Sequence, residues 1–196
     1  MIGRVCVYCG SRVGARPEFA AAAQSLGKAI AARGYDLVYG GASVGLMGIV
    51  ADTMMEAGRE VCGVIPRALF DREVAHRGIT ELVEVETMHE RKAKMAELAD
   101  AFVALPGGFG TLEEIFEALT WTQVGLHAKP CGLLNVAGYY DALAAFLDRT
   151  VADGFVAARN RDHLVVDDDP DALLDELARR VGDDGLAVEW TAAHRK

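Results

Sequence analysis

The sequence has no run of apolar residues long enough to cross a bilayer, although 52% of its 196 residues are hydrophobic. Its first ten residues, MIGRVCVYCG, lack the layout of a secretory signal peptide, so we expect a cytoplasmic protein. Positive charge is also scarce, with 20 Lys and Arg against 29 Asp and Glu and a formal net charge of −9. Because nucleic-acid-binding proteins present a basic surface, this balance argues against that class, but not against a small phosphorylated ligand.

Cysteine is scarce as well, with four in the chain. Cys6 and Cys9 form a C-x-x-C on the first predicted strand, and Cys62 and Cys131 lie in other strand-like runs. No second C-x-x-C and no H-x-x-x-H completes a metal or redox site. We therefore predict no metal site, and we expect buried thiols that pack as small apolar side chains.

Strand-length apolar runs alternate with helical patterns along the whole chain. The predicted strands are 5–9, 36–40, 60–65, 81–86, 101–106 and 131–136, and the predicted helices are 17–33, 45–57, 88–99, 111–124, 139–153 and 170–181. This alternation predicts a single α/β domain, Rossmann-like and doubly wound, with a mainly parallel sheet and helices on both faces. We assign the domain to residues 1–182 and a flexible C-terminal tail to 183–196, with 66–79 as the least regular internal segment.

Two glycine-rich turns share one layout, YGGASVGLMG (39–48) and LPGGFGTLEE (105–114). Each joins a strand to a helix, so both should lie at the carboxyl edge of the sheet. The first amides of a helix lack intrahelical partners and attract anions, and glycines let the backbone approach them. The candidate phosphate contacts are Gly40, Gly41, Gly45, Gly107, Gly108, Gly110 and Thr111. The alternative is that tight turns simply require glycine. Neither turn is a Walker A motif, and the first strand is followed by no G-x-G-x-x-G.

Acidic residues follow the second turn. In the predicted helix 111–124 the apolar residues Leu112, Ile115, Phe116 and Leu119 should face the sheet, while Glu113, Glu114 and Glu117 should point elsewhere. One interpretation is that these glutamates are solvated in the first helical turn, where the helix dipole favours negative charge. The other is catalytic: cleaving a bond at an anomeric carbon builds positive charge, which a carboxylate stabilises while it positions water.

The segment 86–101 predicts a helix with two cations on an unexpected face. Its apolar stripe consists of Met88, Met95, Leu98 and Ala99. Arg91 and Lys92 flank this stripe, whereas Glu90, Lys94 and Glu97 lie opposite. Their positions would be explained if the aliphatic stems of both side chains cover apolar surface while the charged ends reach water. Arginine is also the residue best suited to a bidentate grip on phosphate or carboxylate, and a buried cation needs an anionic partner.

These stretches resemble a known family. TMHERKAKM (87–95), ALPGGFGTLEE (104–114) and TWTQVGLHAKPCGLLNVAGYYDALAAFLD (120–148) are similar to the LOG ("lonely guy") family of cytokinin riboside 5′-monophosphate phosphoribohydrolases. The family signature P-G-G-x-G-T-x-x-E is matched from Pro106 to Glu114, and its R-K pair by Arg91 and Lys92. The first turn departs from the family's G-G-G-x-x-G-L-M-G, because Ala42 replaces the third glycine. The resemblance extends from about residue 2 to residue 177.

The resemblance implies a Rossmann-like homodimer that hydrolyses the N-glycosidic bond of a nucleoside 5′-monophosphate to a free base and ribose 5-phosphate, without a cofactor. It implies Arg91 and Glu114 as the catalytic residues. The substrate contacts that it implies are Glu73, Arg91, Lys92, Gly108, Phe109, Gly110, Thr111, Leu112, Glu113, Glu114 and Thr120. The family also carries a lysine decarboxylase label, which we reject because no Schiff-base lysine of a pyridoxal-phosphate site is evident.

Two other functions stay open at this point. One is a carrier that binds a nucleotide or molybdenum cofactor without chemistry, and the other is a purely structural role for the glycines and charges. A carrier would gain nothing from an acid beside its anion site. Within the enzyme interpretation, prenylated adenosine monophosphate and plain AMP are both candidate substrates. Hormone production, nucleotide salvage and detoxification would share this chemistry.

Overall fold

The computed structural model describes residues 1–70 and 75–182. Within these residues the strands are β1 (Arg4–Tyr8), β2 (Asp36–Tyr39), β3 (Val61–Pro66), β4 (Glu81–Val85), β5 (Ala101–Ala104), β6 (Cys131–Leu134) and β7 (Leu164–Asp167). The helices are α1 (Pro17–Ala32), α2 (Gly45–Glu56), α3 (Met88–Leu98), α4 (Phe109–Gln123), α5 (Asp141–Ala152), α6 (Ala158–Arg161) and α7 (Pro170–Arg180). Two 3-10 turns occupy Arg67–Leu69 and Val136–Gly138.

All seven strands form one parallel sheet in the order β4-β3-β2-β1-β5-β6-β7. Val5 of β1 lies opposite Leu37 of β2 on one side and Ala101 of β5 on the other. The chain therefore winds outward from β1 in one direction and then from β5 in the other, and the strand order reverses between them. Open α/β sheets bind ligands at such a reversal, outside the carboxyl ends of the strands.

Two apolar cores cover the two faces of the sheet. One packs α1, α2 and α7 on the sheet through residues such as Leu26, Met54 and Leu177. The other packs α3 and α4 through residues such as Met95 and Ile115. The predicted single, doubly wound α/β domain is therefore confirmed. No helix in the described part of the chain is both long and apolar enough to span a membrane.

Two elements escaped the sequence analysis, α6 and β7. Each has four residues, which is too short to show a helical or alternating pattern. The helix predicted from residue 139 begins instead at Asp141, because Tyr140, with a φ of −99° and a ψ of 5°, departs from helical geometry. The helix predicted from residue 111 begins two residues earlier, at Phe109.

All four cysteines lie in the described part of the chain and are buried and unpaired. Burial raises the pKa of the Cys6, Cys9 and Cys131 thiols well above the usual range, and it raises the pKa of Cys62 to about 11. The thiols are therefore protonated and pack as small apolar groups, as predicted. The predicted tail, 183–196, lies outside the described residues.

Candidate active site

Three loops meet at the carboxyl edge of the sheet, where the strand order reverses. The two glycine turns follow β2 and β5, as predicted, and the loop after β1 lies between them. The amide of Gly10 donates to the carbonyl of Pro106 at 3.2 Å, and the amide of Leu46 donates to the carbonyl of Gly10 at 3.0 Å. The β1 loop thus ties the two glycine turns together.

The glycines of the first turn are explained by packing within the protein. A Cβ at Gly40 would lie 2.1 Å from Nη2 of Arg91, and a Cβ at Gly45 would lie 2.3 Å from the backbone of Ser11. Gly41 has a φ of +79°, in the left-handed region that favours glycine. These three positions therefore need glycine whether or not a ligand binds, and their predicted contact with phosphate stays a prediction.

The second turn differs, because part of it is open. A Cβ at Gly107 would lie 2.1 Å from Oγ1 of Thr111, so this glycine is also required by packing. Around Gly108 and Gly110, in contrast, no described atom lies within 4 Å of an added Cβ, apart from the adjacent residues and the backbone of α4 itself. These two glycines keep the approach to the start of α4 clear.

The N-terminus of α4 faces this open space. Gly108 is its N-cap residue, and among the described residues no side chain caps the first amides. Those amides and the helix dipole are suited to an anion. Phe109 is exposed and Thr111 is buried, whereas Leu112 packs against the apolar core. The start of α4 thus presents an uncapped set of donors beside two open glycines.

A cleft of about 220 Å³ gathers six of the predicted site residues. Its lining consists of Cys9, Gly10, Ser11, Met47, Arg91, Gly108, Phe109, Gly110, Thr111 and Glu114. Four lining residues were not predicted from the sequence: Cys9, Gly10, Ser11 and Met47. Cys9 and Ser11 follow the central strand β1 at the carboxyl edge, and that position could have identified them. Burial and then the charge of Glu114 raise the pKa of Cys9, so its thiol is protonated.

Arg91 is held at the floor of this cleft. Its Nε donates to the carbonyl of Val64 at 3.0 Å, and its Nη2 donates to the carbonyl of Gly40 at 3.1 Å. Its Nη1 lies 3.6 Å from Oε1 of Glu114. Arg91 is 6% exposed and Glu114 is 9% exposed. A guanidinium and a carboxylate are therefore buried together beside the anion-binding end of α4.

The start of α3 explains how Arg91 reaches this place. The amide of Glu90 donates to Oγ1 of Thr87, which caps the helix, and the amide of Glu86 donates to the Glu90 carboxylate. The buried residues of α3 are Arg91, Lys92, Met95 and Ala96. The prediction that both cations lie toward the packed face is confirmed. Met88, predicted in the apolar stripe, is instead 40% exposed because it lies at the first position of the helix.

Lys92 lies outside the cleft lining and bridges α3 to α4. Its ammonium group pairs with the carboxylate of Glu113 and, at 3.0 Å, with Oε1 of Glu117. Burial alone would lower the pKa of Lys92, but these two hydrogen bonds outweigh burial and raise it. The predicted contacts of Lys92 and Glu113 with substrate therefore stay predictions, and here the two residues contact each other.

The orientation predicted for Glu114 was wrong. We expected it to point away from the packed face together with Glu113 and Glu117, but it is buried on the same face of α4 as Thr111 and Ile115. The three- and four-residue spacings from Thr111 carry this face through Glu114 and Ile115, whereas the predicted face residues Leu112, Phe116 and Leu119 are only partly buried. Glu114 is thereby directed to the cleft.

One predicted contact, Thr120, lies away from the cleft, and another, Glu73, is not among the described residues. Thr120 is exposed, its hydroxyl donates to the carbonyl of Phe116 at 2.7 Å, and it lines a separate groove between α4 and α5. Thr120 is six residues beyond Glu114 in the same helix, which places it about 9 Å further along α4 and about 120° away around its axis, so helical spacing alone could have separated it from the cleft residues.

The chain matches the protein family described as "Possible lysine decarboxylase" over residues 47–177. A protein of Oryza sativa subsp. japonica named "Probable cytokinin riboside 5′-monophosphate phosphoribohydrolase" is 53% identical over 178 residues, which is 91% of this chain and 78% of that protein. The rice protein named "Cytokinin riboside 5′-monophosphate phosphoribohydrolase LOG" is 48% identical over 95% of this chain and 77% of its own length. An Arabidopsis thaliana protein with the same activity name is 52% identical over 81% of this chain and 73% of its own length.

Solved structures share the fold at lower identity. The molybdenum cofactor carrier protein of Chlamydomonas reinhardtii superposes with a TM-score of 0.69 at 23% identity, covering 91% of this chain and 99% of that one. The molybdenum cofactor binding protein of Rippkaea orientalis gives 0.67 at 19% identity, covering 91% and 97%. These two likenesses concern the fold alone. The identities of 48–53% over most of the chain go further: the protein belongs to the LOG family of cytokinin riboside 5′-monophosphate phosphoribohydrolases.

Proposed function

We propose that the protein hydrolyses the N-glycosidic bond of a nucleoside 5′-monophosphate and releases a free adenine-type base and ribose 5-phosphate. The observation that carries this proposal is the buried pair of Arg91 and Glu114 in one cleft with the uncapped start of α4. The activity named for relatives that are about half identical supports the same reaction. Cytokinin riboside monophosphates, whose adenine carries an apolar substituent, are the proposed substrate class.

The geometry assigns a role to each part of the cleft. The 5′-phosphate binds the first amides of α4, where Gly108 and Gly110 leave space. The ribose then lies toward Glu114, about one helical turn further along α4. Binding energy from the phosphate holds the anomeric carbon beside the carboxylate.

The reaction balances with water as the only co-reactant. The bond between the anomeric carbon and the base nitrogen breaks, and its electron pair leaves with the base. The Glu114 carboxylate stabilises the positive charge that develops on the sugar and orients the attacking water. The water oxygen forms the new bond to carbon, one of its protons goes to the base, and ribose 5-phosphate remains. Arg91 orients the Glu114 carboxylate from its fixed place on the carbonyls of Val64 and Gly40.

A lysine decarboxylase activity does not fit these residues. A Schiff-base lysine reacts as a neutral amine, so its pKa must fall. Lys92, which follows Arg91 on α3, instead pairs with Glu113 and Glu117, and its pKa is raised. Burial lowers the pKa of Lys129, but Lys129 is not among the residues that line the cleft. The family description therefore does not give the reaction that we propose for this chain.

The assembly that we propose is a homodimer formed through α4 and α5. No residue of α5 is buried within the part of the chain that the structure describes, yet α5 carries Phe146, which is 62% exposed. Phe155, just beyond α5, is 85% exposed, and the half-buried Phe116 and Leu119 of α4 line the adjoining groove. A second copy would cover this apolar surface. Light scattering should then give twice the chain mass for the wild type and the chain mass for Phe146→Asp.

A cytoplasmic location belongs to the same proposal. All four cysteines are unpaired thiols, which is typical of proteins that live in a reducing compartment.

The experiment that tests the function is chromatography of the products from three substrates. We expect free base from isopentenyladenosine 5′-monophosphate, and the rate with AMP then shows how far the cleft favours the apolar substituent. Isopentenyladenosine, which lacks the phosphate, should react far more slowly because the start of α4 has nothing to bind. Equal rates with and without the 5′-phosphate would contradict the proposed phosphate site. Tight nucleotide binding with no base released would instead favour the carrier function.

A further inference from the structure

The turn after β6 contains two adjacent tyrosines that reach across to the end of β5. We refer to residues 135–140, NVAGYY, as the tyrosine turn. The hydroxyl of Tyr139 donates to the carbonyl of Gly107 at 2.6 Å, and the hydroxyl of Tyr140 donates to the carbonyl of Leu105 at 2.7 Å. Both acceptors lie in residues 105–108, which lead from β5 into α4 and which we call the signature loop, so the tyrosine turn contacts this loop directly.

Three consecutive carbonyls of the signature loop are each held by a different donor. Tyr140 holds Leu105, the amide of Gly10 holds Pro106, and Tyr139 holds Gly107. A carbonyl oxygen carries the negative end of the peptide dipole, so a carbonyl turned into the cleft would repel a phosphate. With these three carbonyls held, the peptide groups that follow them at the start of α4 present their amides to the cleft.

The tyrosine turn is itself rigid. The Asn135 side chain accepts from the amide of Tyr140 and donates to the Asp141 carboxylate, both at 2.7 Å. The amide of Asn135 donates to the carbonyl of Asp167 at 2.7 Å. Ala137 has a φ of +52°, a left-handed conformation that disfavours residues other than glycine. Strained backbone of this kind persists where the surrounding structure determines the conformation, and it clusters at functional sites.

We propose that Tyr139 and Tyr140 are positioning residues that orient the signature loop for the 5′-phosphate. This inference rests on the proposed function, because it assumes that the phosphate binds at the start of α4. The two side chains differ in accessibility: Tyr140 is 1% exposed and Tyr139 is 45% exposed. Burial raises the pKa of Tyr140, so its hydroxyl stays protonated and donates.

A positioning role and a purely structural role predict different measurements. If Tyr139 only stabilised the fold, Tyr139→Phe would lower the melting temperature and leave KM unchanged. If Tyr139 orients the loop, the same change weakens the phosphate contact while the fold survives, because the ring of this half-exposed residue still packs beside Phe19. The relevant readouts are therefore KM, kcat and the affinity for ribose 5-phosphate, with the melting temperature alongside.

The test compares the wild type, Tyr139→Phe, Tyr140→Phe and a matched control, Tyr35→Phe. Tyr35 precedes β2 and so lies at the opposite edge of the parallel sheet. Loss of one hydrogen bond predicts that KM and the Kd for ribose 5-phosphate, measured calorimetrically, rise about threefold to tenfold in Tyr139→Phe, with kcat nearly constant. Tyr140→Phe should show the same rise with a lower melting temperature, and Tyr35→Phe should match the wild type.

An active wild type with unchanged KM and unchanged ribose 5-phosphate affinity in Tyr139→Phe would overturn the positioning role and leave the proposed reaction standing. A lower melting temperature as the only effect of that substitution would overturn it too. If the wild type releases no base, yet binds ribose 5-phosphate more tightly than Tyr139→Phe does, the positioning role stands and the proposed hydrolysis fails. A wild type that binds no ribose 5-phosphate would overturn both.

Discussion

Arg91 and Lys92 are neighbours on α3 and are equally buried, yet their ion pairs have different surroundings. Arg91 faces Glu114 in the cleft, and only 7% and 10% of the surface of these two side chains is exposed. Lys92 lies between α3 and α4, and its partner Glu113 is 54% exposed. A step of about 100° around the helix separates the two cations. The same helix therefore supplies one pair to the cleft and another to the contact between two helices.

The difference also lies in what fixes each cation. Arg91 is held by the carbonyls of Val64 and Gly40, so its position does not depend on its carboxylate partner. Lys92 is held by the carboxylates of α4. This contrast predicts that substitutions of the first pair act mainly on catalysis and that substitutions of the second act mainly on stability.

The largest expected effect is that of Glu114→Gln on turnover. This change keeps the shape of the side chain and removes the charge that stabilises the developing cation, so kcat should fall by about 10²- to 10⁴-fold. Binding of AMP, measured calorimetrically, should be retained because the start of α4 is unchanged. A variant that binds AMP and keeps the wild-type kcat would show that Glu114 has no part in the chemistry.

Arg91→Lys should have the next largest effect. Lysine keeps the charge but cannot donate in a fork to two carbonyls and face Glu114 at the same time. Because a small displacement of a catalytic group is costly, we expect a fall in kcat/KM of about 10²-fold. The measurement is a Michaelis–Menten comparison with the wild type. An unchanged kcat/KM would mean that charge alone is needed at this position.

Lys92→Met should act on stability instead. It leaves Glu113 and Glu117 without their shared cation, and the partly buried Glu117 suffers most. We expect a loss of roughly 1–3 kcal/mol in the free energy of unfolding, measured by urea denaturation. Activity at a temperature where the variant is fully folded should stay within the wild-type range. A large loss of kcat in a fully folded variant would contradict the contrast between the two pairs and would support the substrate contact that the family resemblance implies for Lys92.

The pH dependence of that stability difference gives the smallest effect. The pKa of Lys92 is raised in the folded protein, so its pairing contributes stability that is fully present below the ordinary lysine pKa of about 10.4. The contribution is lost as the pH rises through the folded value. The difference in unfolding free energy between the wild type and Lys92→Met should therefore be constant from neutral pH to about pH 9 and shrink above about pH 10.4. A difference that grew with rising pH would contradict the pairing.

Much of the fold could be predicted from the sequence, because near-continuous apolar strands and amphipathic helices alternate throughout. The positions of Arg91 and Lys92 also followed from helical spacing alone. The direction of Glu114 did not, because the large apolar residues Leu112, Phe116 and Leu119 lie to one side of the face that is most deeply buried, which is the face of Glu114.

The different roles of the glycines could not be predicted from the sequence either. Gly107 and Gly108 are adjacent and identical in chemistry, yet one packs against Thr111 and the other faces open space. Only the path of the backbone separates them. The hydrogen bonds of Tyr139 and Tyr140 join segments more than 30 residues apart, and no periodicity reports such contacts.

The most direct test of the account compares two neighbouring carboxylates under one set of conditions. Wild type, Glu114→Gln and Glu113→Gln are incubated with isopentenyladenosine 5′-monophosphate, and free base and ribose 5-phosphate are quantified by chromatography. We predict equal amounts of the two products from the wild type and from Glu113→Gln, and almost none from Glu114→Gln. Equal product from all three proteins, or an equal loss in both variants, would contradict the claim that the buried pair in the cleft carries the reaction.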